Sequence, residues 1–431
     1  MLNKKTLLAV LFLVYALARV TANLPALQKP RELADTAAYL RISREPLSSQ
    51  KFWGDARPFV FPLLLKISSQ NVSAAALIQL AGSILAWSFL AWAVSASLRP
   101  AGISLFASGV ILLLSLTPRI AAWNYVMMTE SLSVTLFVLF LSLSVWLLRE
   151  WQPYKALFLI LAAFLLAFTR DTNAYLLLLW AGMFALAAAL RWVSPRALVL
   201  VGAFLLIFFL NNYTSNLGGR WMFPLNNVVG KRILVNSAAI QELESCGMPV
   251  SPALLALADS FANGQDRAFY EAPELKEYRA WLRADGKQCY MKYLLARPDV
   301  HVADALTRFE ALIRFDGAEK YFARSYDPLI PYSVEPFLYP AYFILPLWVG
   351  LTIAALLALW KRAWRVNILW GVFIPLCLTI FPHLFIAWHG DAMAPERHAL
   401  SVGLQLALSG WLFVFLALEW AAARMRGENY G

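Results

Sequence analysis

Residues 129–149 read TESLSVTLFVLFLSLSVWLLR. No side chain from Ser131 to Leu148 ionises, and Arg149 closes the run. A helix needs about 20 apolar residues, within a range of about 17–25, to cross a bilayer's hydrocarbon core. This stretch meets that need. Just ahead of it, Glu130 places a carboxylate at the mouth of the span, and Thr129 or Ser131 can supply helix-start chemistry. The stretch predicts a membrane helix with a charged group at one end.

The rest of the chain agrees with that reading. It has 431 residues, 60% hydrophobic and 15% charged, where soluble domains average about 45–50% apolar and about 25% charged. An all-α polytopic membrane protein follows, with about ten spans at 5–22, 72–97, 102–117, 131–149, 156–169, 174–191, 197–212, 337–360, 366–382 and 399–422. Between residues 213 and 336 lies the one long polar stretch. Its apolar residues recur at three and four, as in Leu254, Leu257, Ala258 and Phe261, which predicts amphipathic helices in a small outward-facing domain. Three parts result: a seven-helix membrane module over 1–212, the helical domain over 213–336, and three further spans over 337–431. Cys246 and Cys289 both fall in the polar stretch, where a disulfide and two unrelated thiols are equally open readings.

Charge fixes the orientation. Lys4, Lys5, Arg99, Arg149, Lys155, Arg191, Arg196, Lys361, Arg362, Arg365, Arg424 and Arg426 all fall on one side of the predicted spans. Cytoplasmic loops carry such an excess, so both termini are expected in the cytoplasm. The Ala- and Leu-rich composition suits a bacterial inner (plasma) membrane. The first span fits an uncleaved anchor and a cleavable signal peptide alike. The net charge of +11 is explained by those loops and by anionic headgroups, and no nucleic-acid motif is present. One outward loop breaks the rule: residues 23–71 carry seven Lys/Arg. Its charge needs another reason.

The outward joints hold the unusual chemistry. The first contains RELADTAAYLRISREPL (31–47) and GDARPFVFPLL (54–64), with Asp35, Tyr39, Asp55 and Arg57. The second contains Arg119 and Glu130, and the third Arg170, Asp171 and Asn173. The last reads FPHLFIAWHGDAMAPERHAL (381–400) and holds three of the four histidines, His383, His389 and His398, together with Asp391 and Arg397. Each residue alone suits an interface salt bridge or a helix cap. Polar groups near hydrocarbon are costly unless paired or functional, and four joints on one face suggest a shared site. A carboxylate among guanidinium groups suits a phosphate-bearing substrate: the acid takes a hydroxyl proton while arginines hold phosphate. Acidic residues and histidines can also bind a divalent metal. Oxygen ligands suit Mg, Mn or Ca, and histidine adds Zn. Glu130 and His389 are the metal candidates. Walker A, G-x-S-x-G and H-E-x-x-H motifs are absent.

Four stretches carry a resemblance. LADTAAYLRISR, RPFVFPLLL, MTESLSVTLFVLFLSL and FTRDTN resemble, in order, loop and span-start motifs of the GT-C superfamily of integral membrane glycosyltransferases. The predicted layout is similar as well. The resemblance implies a polyprenyl-phosphate sugar as donor and a glycan, lipid or protein hydroxyl outside the membrane as acceptor, with inversion at the sugar. It implies that Asp35 is the catalytic base and Glu130 a second acid for metal or substrate. Arg57 and Arg170 would contact the donor phosphate. Tyr39, Arg397 and His398 complete the expected substrate contacts. Asp35 departs from the family pattern in having no acidic neighbour, since Ala34 precedes it. Two other classes compete: a transporter or lipid flippase, and a non-catalytic membrane scaffold. The first predicts charge buried at mid-span, where this sequence has almost none.

Overall fold

The computed structural model describes residues 4–264 and 267–427. Among them the protein is helical, and its only strand-like pairing is a parallel bridge between Arg31 and Val126. The helices that matter below are α1 (Lys4–Thr21), α2 (Ala34–Arg44), α3 (Val60–Ile67), α4 (Val72–Ser95), α5 (Ala101–Leu116), α6 (Thr129–Arg149), α7 (Pro153–Ala167) and α8 (Asp171–Ala189). They continue with α9 (Ala197–Leu217), α10 (Met222–Val228), α11 (Pro298–Arg314), α12 (Ile344–Trp360), α13 (Leu369–Gly390) and α14 (Leu400–Met425).

The expected ten spans are not there. Among the described residues six helices are long and apolar enough to cross a membrane, namely α4, α6, α8, α9, α13 and α14. A seventh arises only if α5 is joined to Pro118–Tyr125 across a 61° bend. The bend has a local cause. Thr117 precedes a proline and is driven to extended backbone, φ −60° and ψ 143°, which ends the helix. At about 1.5 Å per residue, α7 with 15 residues and α12 with 17 fall short of the roughly 30 Å core. α1 reaches 18 residues but includes Lys4, Lys5 and Arg19. Arg19 is buried, donating to Tyr15 Oη at 3.2 Å, Ser83 Oγ at 3.2 Å and the Ser115 carbonyl at 2.9 Å. It ties α1 to α4 and α5.

The expected discrete outward domain is also absent. Between residues 222 and 296 the chain forms short helices of ten residues or fewer around a small apolar cluster that includes Val228, Phe269, Tyr278 and Leu282. Cys246 and Cys289 are joined there by a disulfide. The remainder does not belong to that cluster. On α11, Ala305, Phe309, Leu312 and Ile313 enter the main core of the bundle. The three-and-four spacing of Leu254, Leu257, Ala258 and Phe261 does not form the expected amphipathic helix, since only Pro252–Leu255 is helical and the following residues turn, while the apolar face of α11 docks on the membrane helices rather than on its sequence neighbours.

Charges on joints facing away from the candidate site form a separate group. Lys4 Nζ donates to the Ser95 carbonyl at 3.4 Å, and the Arg99 N–H donates to Glu419 Oε1 at 2.8 Å. Asn367 Nδ2 reaches Glu419 Oε2 at 2.6 Å and the Ser97 carbonyl at 3.1 Å.

Candidate functional site

The site begins with a backbone stitch. The Arg31 N–H donates to the Tyr125 carbonyl at 2.8 Å, and the Met127 N–H to the Arg31 carbonyl at 2.9 Å. Thr36 Oγ1 accepts from the Leu33 N–H and donates to the Met127 carbonyl, both at 2.9 Å. These bonds fix the start of α2 beside the start of α6. Asp35 and Glu130 each lie in the first turn of their helix, where the helix dipole favours a carboxylate. Tyr39, one turn after Asp35, is buried against Phe61 of α3 with centroids 5.0 Å apart. Burial raises its pKa, so the phenol stays neutral.

Three guanidinium groups then join two carboxylates. Arg57 Nη2 lies 2.6 Å from Asp35 Oδ1, and its guanidinium sits 5.8 Å from the ring centroids of Tyr39 and of Phe223 on α10. Arg397 bridges both acids: its Nε donates to Glu130 Oε1 at 2.8 Å and its Nη2 lies 3.6 Å from Asp35 Oδ2. Arg170, the residue before α8, lies 3.7 Å from Glu130 and donates to the Arg397 carbonyl at 3.1 Å. Asn173, in the first turn of α8, donates to Ser133 Oγ on α6 at 2.9 Å and holds that turn over Glu130. Burial works against the charge of Arg397, but the Glu130 and Asp35 carboxylates outweigh it and raise its pKa. The two acids differ in access. Glu130 is sealed from solvent, whereas the Asp35 side chain is 28% exposed and Arg57 29%.

A relay supports Arg170. Its Nη2 lies 3.0 Å from His398 Nδ1. A guanidinium has no lone pair to offer, so Nδ1 must accept and the ring proton sits on Nε2. That side faces Asp391 Oδ2 at 3.5 Å. Burial, helped by Arg170, lowers the His398 pKa and keeps the ring neutral. Burial disfavours the charged form of Asp391 as well. Hydrogen bonding with His398, with the Met393 N–H and with Asn227 Nδ2 nevertheless holds it below the usual carboxylate range.

Asp35, Tyr39, Arg57, Glu130, Arg170, Arg397 and His398 thus form one constellation. His389 does not join it: its Nε2 lies 3.1 Å from the His301 carbonyl and its ring packs on Phe385. His383 pairs with Gln405 at 3.0 Å. The other joint charges are structural. Arg119 binds Glu335, Arg41 binds Asp55 bidentately, and Asp171 binds Arg220. The residues do not fit a divalent cation. No grouping of three potential ligands occurs among the described residues, and Asp35 and Glu130 already share guanidinium partners. The sequence reading did not place Asp391 and Asn227 in the site. Asp391 stood in a histidine-rich joint that pointed to it, whereas nothing in the sequence around Asn227 did. No protein-family model matches the chain, and no curated protein matches it.

Proposed function

We propose that this integral membrane protein is a glycosyltransferase using a polyprenyl-phosphate-linked sugar, as the resemblance of its joints to the GT-C superfamily implies. The observation that carries the reading is the pairing of Asp35 with Arg57. Asp35 is the solvent-reachable acid of the cluster, and Arg57 touches it through Nη2 alone; its Nε and Nη1 donors take no protein acceptor among the described residues. A carboxylate able to take a proton therefore stands beside free donors able to hold a phosphate.

In the reaction, the acceptor hydroxyl oxygen forms a bond to the anomeric carbon from the face opposite the leaving group. Its proton passes to Asp35. The bond from the anomeric carbon to the phosphate oxygen breaks, and the electron pair leaves with polyprenyl phosphate, held by Arg57. One displacement inverts the sugar. Glu130 lies behind Arg397 and acts by fixing that guanidinium, with Arg170 locked in turn by His398 and Asp391. The site faces outward and both termini lie in the cytoplasm, a reading supported by the Cys246–Cys289 disulfide, which needs an oxidising compartment.

The test uses purified full-length protein in liposomes with polyprenyl-phosphate hexoses labelled in the sugar and with membrane or wall glycans as acceptors. Labelled product and released polyprenyl phosphate are expected. Label crossing the bilayer without a new glycosidic bond would replace the reading with a flippase.

A further inference from the structure

A cleft of about 320 Å³ opens between α11 and the end of α13. That is at the small end of the range for small-molecule sites, about 300–1,000 Å³. Arg308, Phe315, Asp316, Trp388 and Glu396 line it. It shares a wall with the carboxylate cluster: Phe315 and Tyr321 lie 6.2 Å apart between centroids, and the Arg397 guanidinium sits 5.4 Å from the Tyr321 ring. Glu396 is the chain neighbour of Arg397.

The cleft is preorganised. Arg232 lies 3.6 Å over the Trp388 ring and donates to the Trp388 carbonyl at 2.6 Å, while Trp388 Nε1 donates to Asp304 at 2.6 Å. The ring is held before any ligand arrives, which lowers the ordering cost of binding. Phe315 is buried at φ 49°, a left-handed conformation that costs a bulky residue energy and clusters at ligand sites. Asp316 and Glu396 each have a cation, Arg314 at 3.1 Å and Lys320 at 3.7 Å. Arg308 is exposed and has no carboxylate within salt-bridge distance among the described residues.

Aromatic side chains, two carboxylate acceptors and the exposed Arg308 guanidinium, which lies 5.8 Å from the Trp388 ring centroid, match a particular ligand chemistry. A sugar presents apolar C–H faces and hydroxyls that both donate and accept. A phosphate would meet two carboxylates, and an alkyl chain would meet three charges. Resting on the transferase reading, we infer that this cleft is the acceptor subsite and that it takes a neutral hexose or N-acetylhexosamine unit. Arg308, which lines the cleft, is exposed on α11 with Thr307 and Glu310.

The test is saturation-transfer NMR on the full chain in nanodiscs free of sugar detergents, with glucose, galactose, mannose and N-acetylglucosamine as probes and inorganic phosphate as the contrast. At least one sugar is expected to bind. Arg308→Ala, a substitution on an exposed helical face, should weaken it about tenfold, the loss of one charge-assisted hydrogen bond. Lys361→Ala, an exposed residue after α12 and outside both the cleft and the carboxylate cluster, should bind it unchanged. No sugar binding, binding indifferent to Arg308, or binding of phosphate alone would overturn the subsite. Arg308-dependent sugar binding without any transfer would leave the subsite standing and remove the transferase. Transfer in which Arg308→Ala changes the donor KM instead of the acceptor KM would do the reverse.

Discussion

At the scale of single residues, Arg397 decides whether the two acids form one site. It touches Asp35 and the sealed Glu130 together, so removing it leaves the buried carboxylate with only the more distant Arg170, at 3.7 Å. Breaking a buried pair from one side costs about 3–5 kcal/mol. Arg397→Ala should therefore lower the thermal unfolding midpoint of the purified protein well below that of wild type. Arg397→Lys keeps the charge but, as a point charge, loses the fork that spans both acids. It should recover much of that stability while transfer stays low; full activity in the lysine variant would contradict the bridging role. His398 gives a second prediction. Its folded pKa lies below the free value of about 6.5, so the unfolded state binds the proton first as pH falls. Stability from the neutral ring is intact above about 6.5 and declines as pH drops from there toward the folded pKa. Protonation also turns Nδ1 into a donor facing Arg170. A thermal melt series should show the wild type losing stability below about pH 6.5 more steeply than His398→Asn; parallel curves would exclude this role. The sequence reading singled out Asp35 but left it solitary. Its partner acid arrives from another helix through a guanidinium near the far end of the chain, and no local pattern encodes that.

Element by element, what could be read from the sequence was the charge at the mouths of helices, and what could not was where helices stop. The apolar runs around 131–149 and 399–422 read correctly because length and hydropathy are local properties. The short α7 and α12 and the buried Arg19 depend on how neighbours satisfy backbone and charge, whereas the bend at Pro118 is written locally in the Thr117–Pro118 pair. The spacing over 254–261 did not mark a helix, and nothing local to the polar stretch showed that α11 docks on the membrane helices. Loop 54–57, which carries Arg57, is held by a contact of the same non-local kind. A Cβ on Gly218, just after α9, would collide with the carbonyl oxygens of Gly54 and Asp55. Gly218→Ala should force that loop away, at about 1–3 kcal/mol of overpacking, and weaken donor binding. A variant with wild-type donor KM would show that Arg57 does not depend on this packing.

For the whole molecule, the two sets of charges make an orientation claim. Lys51 is exposed on the loop between Asp35 and Arg57, and Lys361 is exposed after α12. In intact cells a membrane-impermeant maleimide should label Lys51→Cys directly and Lys361→Cys only after permeabilisation; the opposite pattern would invert the topology. The central claim is that Asp35 accepts the acceptor's proton. It is tested most directly by comparing wild type and Asp35→Asn for transfer of labelled hexose from polyprenyl phosphate, with donor affinity and thermal melting measured on the same preparations. The account predicts that the variant folds and binds donor but turns over about 10²–10⁴-fold more slowly, the range general-base catalysis contributes. Undiminished transfer by a folded Asp35→Asn protein would contradict it.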